Sequence, residues 1–271
     1  MLELLQQVFR QVRGYIHSDA FNRQNVYTHS PDHTTMLFDR EAEDIIISGL
    51  IESGYSFEIV TEERPPFTSH PAPDYRIVVD PVDGSTNVQH GIMTAAIALA
   101  VLPIDAPIIP ERVLWSLVGE LYSGTVYEAS QGNGAFCNGR ICQVSQQDHF
   151  SRCLIGVNFD GRSSTALKSL LIDEPRPANV RRSGSSAMDV VYIANGAYDA
   201  YVDIGDVLTG ESYLASASIV LEAGGIITDQ YGKPLRPVRT LKDGYSIVAA
   251  GSPALHAEIL DKLARKSAQS A

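Results

Sequence analysis

Cysteine is scarce: Cys137, Cys142 and Cys153 are too few for a disulfide framework and show neither zinc-ligand spacing nor a C-x-x-C pair. They read as buried or idle thiols. Long apolar runs are missing too. No stretch approaches the ~20 residues needed to span a bilayer, and the opening MLELLQQVFRQVRGYIH is broken by Gln and Arg, which makes it an amphipathic helix rather than a signal peptide. No membrane partner and a cytoplasmic location are therefore expected. Basic clusters are absent as well: 21 Lys and Arg face 32 Asp and Glu, a formal charge of −11. That balance argues against nucleic acid as a partner. The histidines show no paired spacing, no G-x-S-x-G elbow exists, and GNGAFCNG lacks the following lysine of a Walker loop. Zinc-hydrolase, serine-hydrolase and P-loop chemistry have no foothold.

What is present is enough apolar mass, 44% of the chain, for one substantial core or two layered halves. Helical spacing of apolar residues predicts helices over 2 to 16 and 38 to 53. Strands follow in FEIV, YRIVVD, TAAIALAVL, RVLWSLVG, GELYSGTVYEA and GAFC, with a hairpin turn at Asn138-Gly139. SHPAP and IDAPIIP mark surface loops. Later, CLIGVNF and ANVRRS flank a helix at 164 to 172. SAMDVVYIANG reads as a helix ending at Gly196, AYDAYVDI as a strand, 211 to 223 as a helix, GIITD as a strand and PALHAEILDKLARK as a terminal helix. Strands early and strand–helix alternation late predict a mixed α/β (α+β) fold, with sheets sandwiched by helices and a cleft where the halves meet.

The sharpest motif is DPVDGSTN, residues 80 to 87, directly after the apolar YRIVV. Two aspartates three apart, entering a glycine turn, can aim both carboxylates at one point. Such a point suits Mg²⁺, which takes hard oxygen ligands and keeps some of its waters. An isolated D-x-x-D-G is also an ordinary solvated turn. A cation would resolve a conflict, because an acidic chain otherwise repels a phosphate anion.

The whole octapeptide closely resembles the signature of the inositol monophosphatase and fructose-1,6-bisphosphatase superfamily. TEER (61 to 64), FDREAED (38 to 44), GNGAFCNGR (132 to 140), RSGSSAMDVVYIANGAYDAYVD (182 to 203) and EAGGIITD (222 to 229) resemble further family segments in the expected order. SPDHTTMLFD and the spacing of the last segment look most like the archaeal-type branch, whose members act on inositol phosphates and fructose bisphosphate.

The resemblance covers about residues 20 to 260. It implies a layered α-β-α-β-α sandwich of the sugar phosphatase type, one unit over 1–271 with a metal-site half (1–150) and a substrate-side half (151–271). It implies a homodimer, Mg²⁺ (Mn²⁺ may substitute) and a small phosphorylated substrate. Glu62, Asp80 and the Val82 carbonyl would hold one metal, with Asp80 bridging to a second that Asp83 also binds. Ser85, backed by Asp39, would orient and deprotonate the nucleophilic water. The amides of Gly84 and Ser85 would face phosphate oxygens, while Gly184, Ser185, Ser186 and Asp203 would line the substrate pocket.

Two departures stand out. Family members carry Trp-Asp about ten residues before Glu-Ala-Gly-Gly, and that Asp ligates the second metal; here Glu211 and Ser212 occupy those positions. Glu211 could reach the metal, although adjacent helical positions point about 100° apart. Ser212 could coordinate directly or through a water, or be merely a helix N-cap. A non-catalytic homologue that only binds a phosphorylated molecule is the alternative reading. Met36 stands where archaeal-type relatives often have lysine.

Overall fold

A computed structural model describes residues 1–29, 34–161 and 165–267. The first helix, α1 (Leu2–Ile16), buries Leu5, Val8, Phe9, Val12 and Ile16, a single apolar stripe. After β1 (Val26–His29) and β2 (Thr34–Met36), α2 (Leu37–Glu52) packs beside α1. Then come β3 (Phe57–Thr61), β4 (Phe67–Thr68), β5 (Tyr75–Asp83), the short α3 (Ser85–His90), β6 (Ala96–Pro103), β7 (Trp115–Glu120), β8 (Val126–Ser130), β9 (Ala135–Cys137) and β10 (Arg140–Ile141). The second part contains β11 (Leu154–Val157), α4 (Thr165–Ile172), β12 (Asn179–Arg181), α5 (Ser186–Val191), β13 (Ala200–Leu208), α6 (Gly210–Glu222), β14 (Ile226–Thr228), β15 (Tyr245–Ala250) and α7 (Pro253–Ser267).

Two larger sheets result, an eight-stranded one ordered β10-β9-β8-β7-β6-β5-β3-β4 and a five-stranded one ordered β12-β11-β13-β15-β14. Both are mixed: β3 and β5 run parallel in the first, and β11 runs parallel to β12 and β13 in the second. Alternate residues along each strand serve different cores, as the two-residue period requires. Ile77, Val79, Ile97 and Leu99 pack with α1 and α2, whereas Val78, Ala96, Ala98 and Val118 pack with α5 and α6. Tyr201, Ile247 and Ala249 of the second sheet close that middle core from the other side. Ala200, Val202, Val248 and Ala250 face α4 and α7. The layers are therefore α-β-α-β-α, the sandwich expected from the sequence.

The elements differ from expectation in a few places. GELYSGTVYEA is not one strand: β7 ends at Glu120, whose carboxylate accepts from the Tyr122 and Ser123 amides and turns the chain into β8. The helix expected to end at Gly196 ends at Val191, and turns fill the interval. YSIVAA, not read as a strand, is β15, wholly buried between β13 and β14. A uniformly apolar run this short carries no periodicity to reveal it. The Asn138-Gly139 turn is as expected, with both residues at positive φ (48° and 75°) between paired β9 and β10. Residues 30–33 of the SPDHTTMLFD stretch, including His33, and residue 164 of the expected helix lie outside the described residues. Met36 is buried with the α1–α2 core.

Candidate active site

The motif Asp80–Asn87 straddles the end of β5 and the start of α3. In a regular strand, residues three apart point to opposite faces. Here they do not, because the register against β6 slips: Asp80 lies opposite Ala98 and Asp83 opposite Ala96, three residues matched by two. Pro81 lies within this irregular stretch, where a residue without an N–H is tolerated. Val82 consequently faces α2 and joins its core, while Asp80 and Asp83 both turn toward the middle layer. Gly84 then takes φ +98°, and a Cβ there would sit 3.2 Å from the Thr94 carbonyl and 3.3 Å from that of Gly184, so a side chain would be both strained and tightly packed.

The partners come from three directions. From α2, Asp39 accepts from Ser85 Oγ at 2.8 Å and from the Met36 amide at 3.2 Å. Ser85 Oγ also lies 2.9 Å from the Val82 carbonyl. From α5, the Ala187 amide donates to Asp83 Oδ2 at 2.8 Å, and the Ser185 hydroxyl donates to the same oxygen. From α6, Ser212 Oγ donates to Asp80 Oδ2 at 3.0 Å. Thr209 caps this helix, so Ser212 lies inside the first turn and the N-cap alternative is corrected.

Burial dominates the electrostatics. Asp80 and Asp83 are 2% and 8% exposed and Glu211 3%. Desolvation pushes Asp83, Asp39 and Glu211 each up to about 7. Asp80 is raised well above its ordinary value by desolvation and then by the charges of Asp83, Glu62 and Glu211. Glu62 has exposed surface on a cleft. Enough protein still surrounds its carboxyl, with Glu211, Glu63, Asp39 and Asp83 adding charge, to raise it as well. Two carboxylate oxygens, Asp80 Oδ1 and Glu211 Oε2, are buried with no hydrogen-bond partner.

Hard oxygens, several carboxylates pressed together and orphaned acceptors are a donor set that fits Mg²⁺. The cage is open: among the described residues, no three Asp, Glu, His or Cys side chains stand close enough to enclose an ion. Holding one requires Glu62, Asp80 and Asp83 to draw inward.

A cleft of ≈ 1170 Å³ opens at Glu62 and Glu211, with Arg64, Pro65, Ile108, Val238 and Arg239 among its walls. Gly184 and Ser186 are half-buried. Ser185, expected to line the pocket, is 1% exposed and spends its hydroxyl on Asp83 and on the Met188 amide. Asp203, expected to meet substrate hydroxyls, is 0% exposed in the middle of its sheet, opposite Ile247, and accepts from Tyr201 at 3.3 Å.

Sequence reasoning missed three supports. Asn87 Nδ2 donates to both the Thr94 and Ser183 carbonyls at 2.8 Å, stitching the motif to the loop before α5. Asp189, pushed up to about 6 by desolvation, accepts from the Ser183 amide and the Tyr198 hydroxyl. Glu43, 0% exposed, accepts from Thr61 Oγ1 at 2.8 Å and pairs with Arg64, so the turn carrying Glu62 is bolted to α2. A charged residue inside an apolar helical face is the signal that could have flagged Glu43 and Asp189.

The three thiols are free; desolvation raises all of them, Cys142 to about 11 and Cys153 to about 12, so they stay protonated.

Comparison with known proteins gives the family. The family model described as the inositol monophosphatase family matches residues 2–269. A "Fructose-1,6-bisphosphatase/inositol-1-monophosphatase" of Methanothermobacter thermautotrophicus is 32% identical over 235 residues, 84% of this chain and 83% of its own. A "Putative Nus factor SuhB" of Neisseria meningitidis is 33% identical, covering 72% of this chain and 73% of its own. Among solved structures, a hypothetical protein of Pyrococcus horikoshii with similarities to inositol-1 monophosphatase superposes with a TM-score of 0.78 at 26% identity, over 97% of this chain and 96% of its own. The archaeal relatives bear out the archaeal-type resemblance. With its layered fold and its match over nearly the whole length, the chain belongs to the inositol monophosphatase family, a family of phosphatases.

Proposed function

We propose that this phosphatase is a Mg²⁺-dependent phosphomonoesterase acting on a small inositol or sugar phosphate, of the inositol-1-phosphate or fructose-1,6-bisphosphate class. The observation that carries the reading is the Ser85–Asp39 hydrogen bond of 2.8 Å beside the buried Asp80 and Asp83. Glu62, Asp80, Asp83 and the Val82 carbonyl would hold the cation. When bound, Mg²⁺ supplies the positive charge that admits a phosphate anion and acidifies water.

The chain's own groups do the rest. With its hydrogen donated to Asp39, Ser85 Oγ offers a lone pair to the attacking water. As the water gives a proton to Ser85 Oγ, the Ser85 proton passes to the Asp39 carboxylate, whose pKa, raised to about 7, suits it to accept near neutral pH. The water oxygen attacks phosphorus, the ester P–O bond breaks, and the departing alkoxide takes a proton from solvent. The amides of Gly84 and Ser85 offer fixed dipoles to the phosphate oxygens. Gly184 and Ser186 meet the sugar, and Ser185 and Asp203 back them from within. The same reading takes the protein as a cytoplasmic homodimer divided near residue 150 into a metal-site half and a substrate-side half.

The test is release of inorganic phosphate from a panel of inositol and sugar phosphates with excess Mg²⁺. Turnover that is lost in Asp80→Asn supports the reading, and turnover undiminished in that variant excludes the site. A non-catalytic binder, the rival that a serine at 212 keeps open, predicts ligand binding by calorimetry with no phosphate released at any Mg²⁺ concentration.

A further inference from the structure

Where the family resemblance implies a second-metal aspartate the chain has Ser212, and its hydroxyl is engaged: Oγ donates to Asp80 Oδ2 at 3.0 Å. The neighbouring Glu211 is 97% buried by its 3% exposure, yet Oε2 has no hydrogen-bond partner. Thr209 hydrogen-bonds the carboxyl from the N-cap. Neither protonation state satisfies the orphan atom within the chain, because a carboxylate oxygen there lacks a donor and a protonated one lacks an acceptor. Burial of such a group costs free energy unless a cation completes it. Asp80 Oδ1 is orphaned in the same way. Glu211 lines the same cleft as Glu62, and its neighbour Ser212 already touches Asp80.

Resting on the phosphatase reading above, we propose that Glu211, one residue ahead of the usual position, supplies the carboxylate of the second cation position, while Ser212 serves as a donor that orients Asp80. The first turn of α6 abuts the end of β5, so two adjacent positions reach the cluster by different routes. Ser212 reaches it directly. Glu211 reaches it by the length of its side chain, which overcomes the ~100° between neighbouring helical residues. The negative charge lost at residue 212 is restored at 211, beside a helix N-terminus that favours it.

The test is calorimetric titration of the full chain, stripped of metal, with Mn²⁺, alongside its melting temperature without metal. Glu211→Gln is expected to abolish the second Mn²⁺ equivalent or weaken it at least about 10-fold, while melting no lower than the parent, because an unsatisfied buried charge has been removed. Two Mn²⁺ bound with parental affinity in Glu211→Gln would overturn the proposal. If the variant melts lower, adding Ser212→Asp to it decides: recovered Mn²⁺ binding supports the carboxylate role and no recovery refutes it. Failure of the parent chain to bind Mn²⁺ at all would instead sink the phosphatase reading beneath it. Loss in Asp80→Asn with retention in Glu211→Gln would sink only the assignment of Glu211.

Discussion

Ser85 and Asp39 stand 46 positions apart in sequence and 2.8 Å apart in space, and each keeps a second, local partner, the Val82 carbonyl for Ser85 and the Met36 amide for Asp39. If they form the proton path, Ser85→Ala should lower kcat by about 10²-fold with KM little changed, the size expected for losing a positioned acid–base group. Steady-state kinetics on the best substrate checks this. The raised carboxyls predict a second behaviour. A carboxyl whose pKa in the fold exceeds its ordinary value stabilises the fold only while protonated. The contribution of Asp39, Asp83 and Glu211 is therefore fully present below about pH 4. It is lost as pH climbs through about 7. A cation competes with those protons, so the gain in melting temperature from saturating Mg²⁺ should be larger at pH 8 than at pH 6. A gain independent of pH would separate metal binding from this cluster.

At the scale of elements, the site depends on where β5, α2, α5 and α6 end. DPVDGSTN was readable as a turn that directly follows an apolar strand, and it does straddle the end of β5 and the start of α3. What was not readable was the bulge: only the pairing with β6 reveals that the register slips between Asp80 and Asp83, which puts both on one face. The same holds for Ser185, which looked like a pocket residue until α5 brought it under Asp83. The turn bearing Glu62 is held by Arg64 and Thr61 on the buried Glu43 of α2. Glu43→Ala leaves the Thr61 hydroxyl without its acceptor and Arg64 without its buried partner, and should cost about 3–5 kcal/mol. Chemical denaturation measures it. The milder Arg64→Lys should keep the fold but raise the Mg²⁺ concentration for half-maximal activity, because an ammonium cannot reproduce the fork that reaches both Glu43 and Asp44.

On the scale of the whole molecule, the order of strands and helices predicted mixed sheets sandwiched by helices, and the family resemblance implied the five layers that are found. β15 escaped because it is both short and buried on both faces, whereas the equally buried β6 was legible as a longer apolar run. The middle layer is where the two sheets communicate. Asn87 spans it with two hydrogen bonds from one amide nitrogen, and Asn87→Ala should cost about 1–3 kcal/mol by stranding the Ser183 and Thr94 carbonyls.

On the function proposed above, a divalent cation would answer at once the acidic balance of the chain, the orphaned oxygens of Asp80 and Glu211, and the mutual elevation of the carboxyls. The most direct measurement is anomalous diffraction from crystals soaked with Mn²⁺ and phosphate. The account predicts Mn²⁺ peaks ligated by Glu62, Asp80 and Asp83, with phosphate against the Gly84 and Ser85 amides. Phosphate bound elsewhere with no Mn²⁺ at those three carboxylates would contradict it.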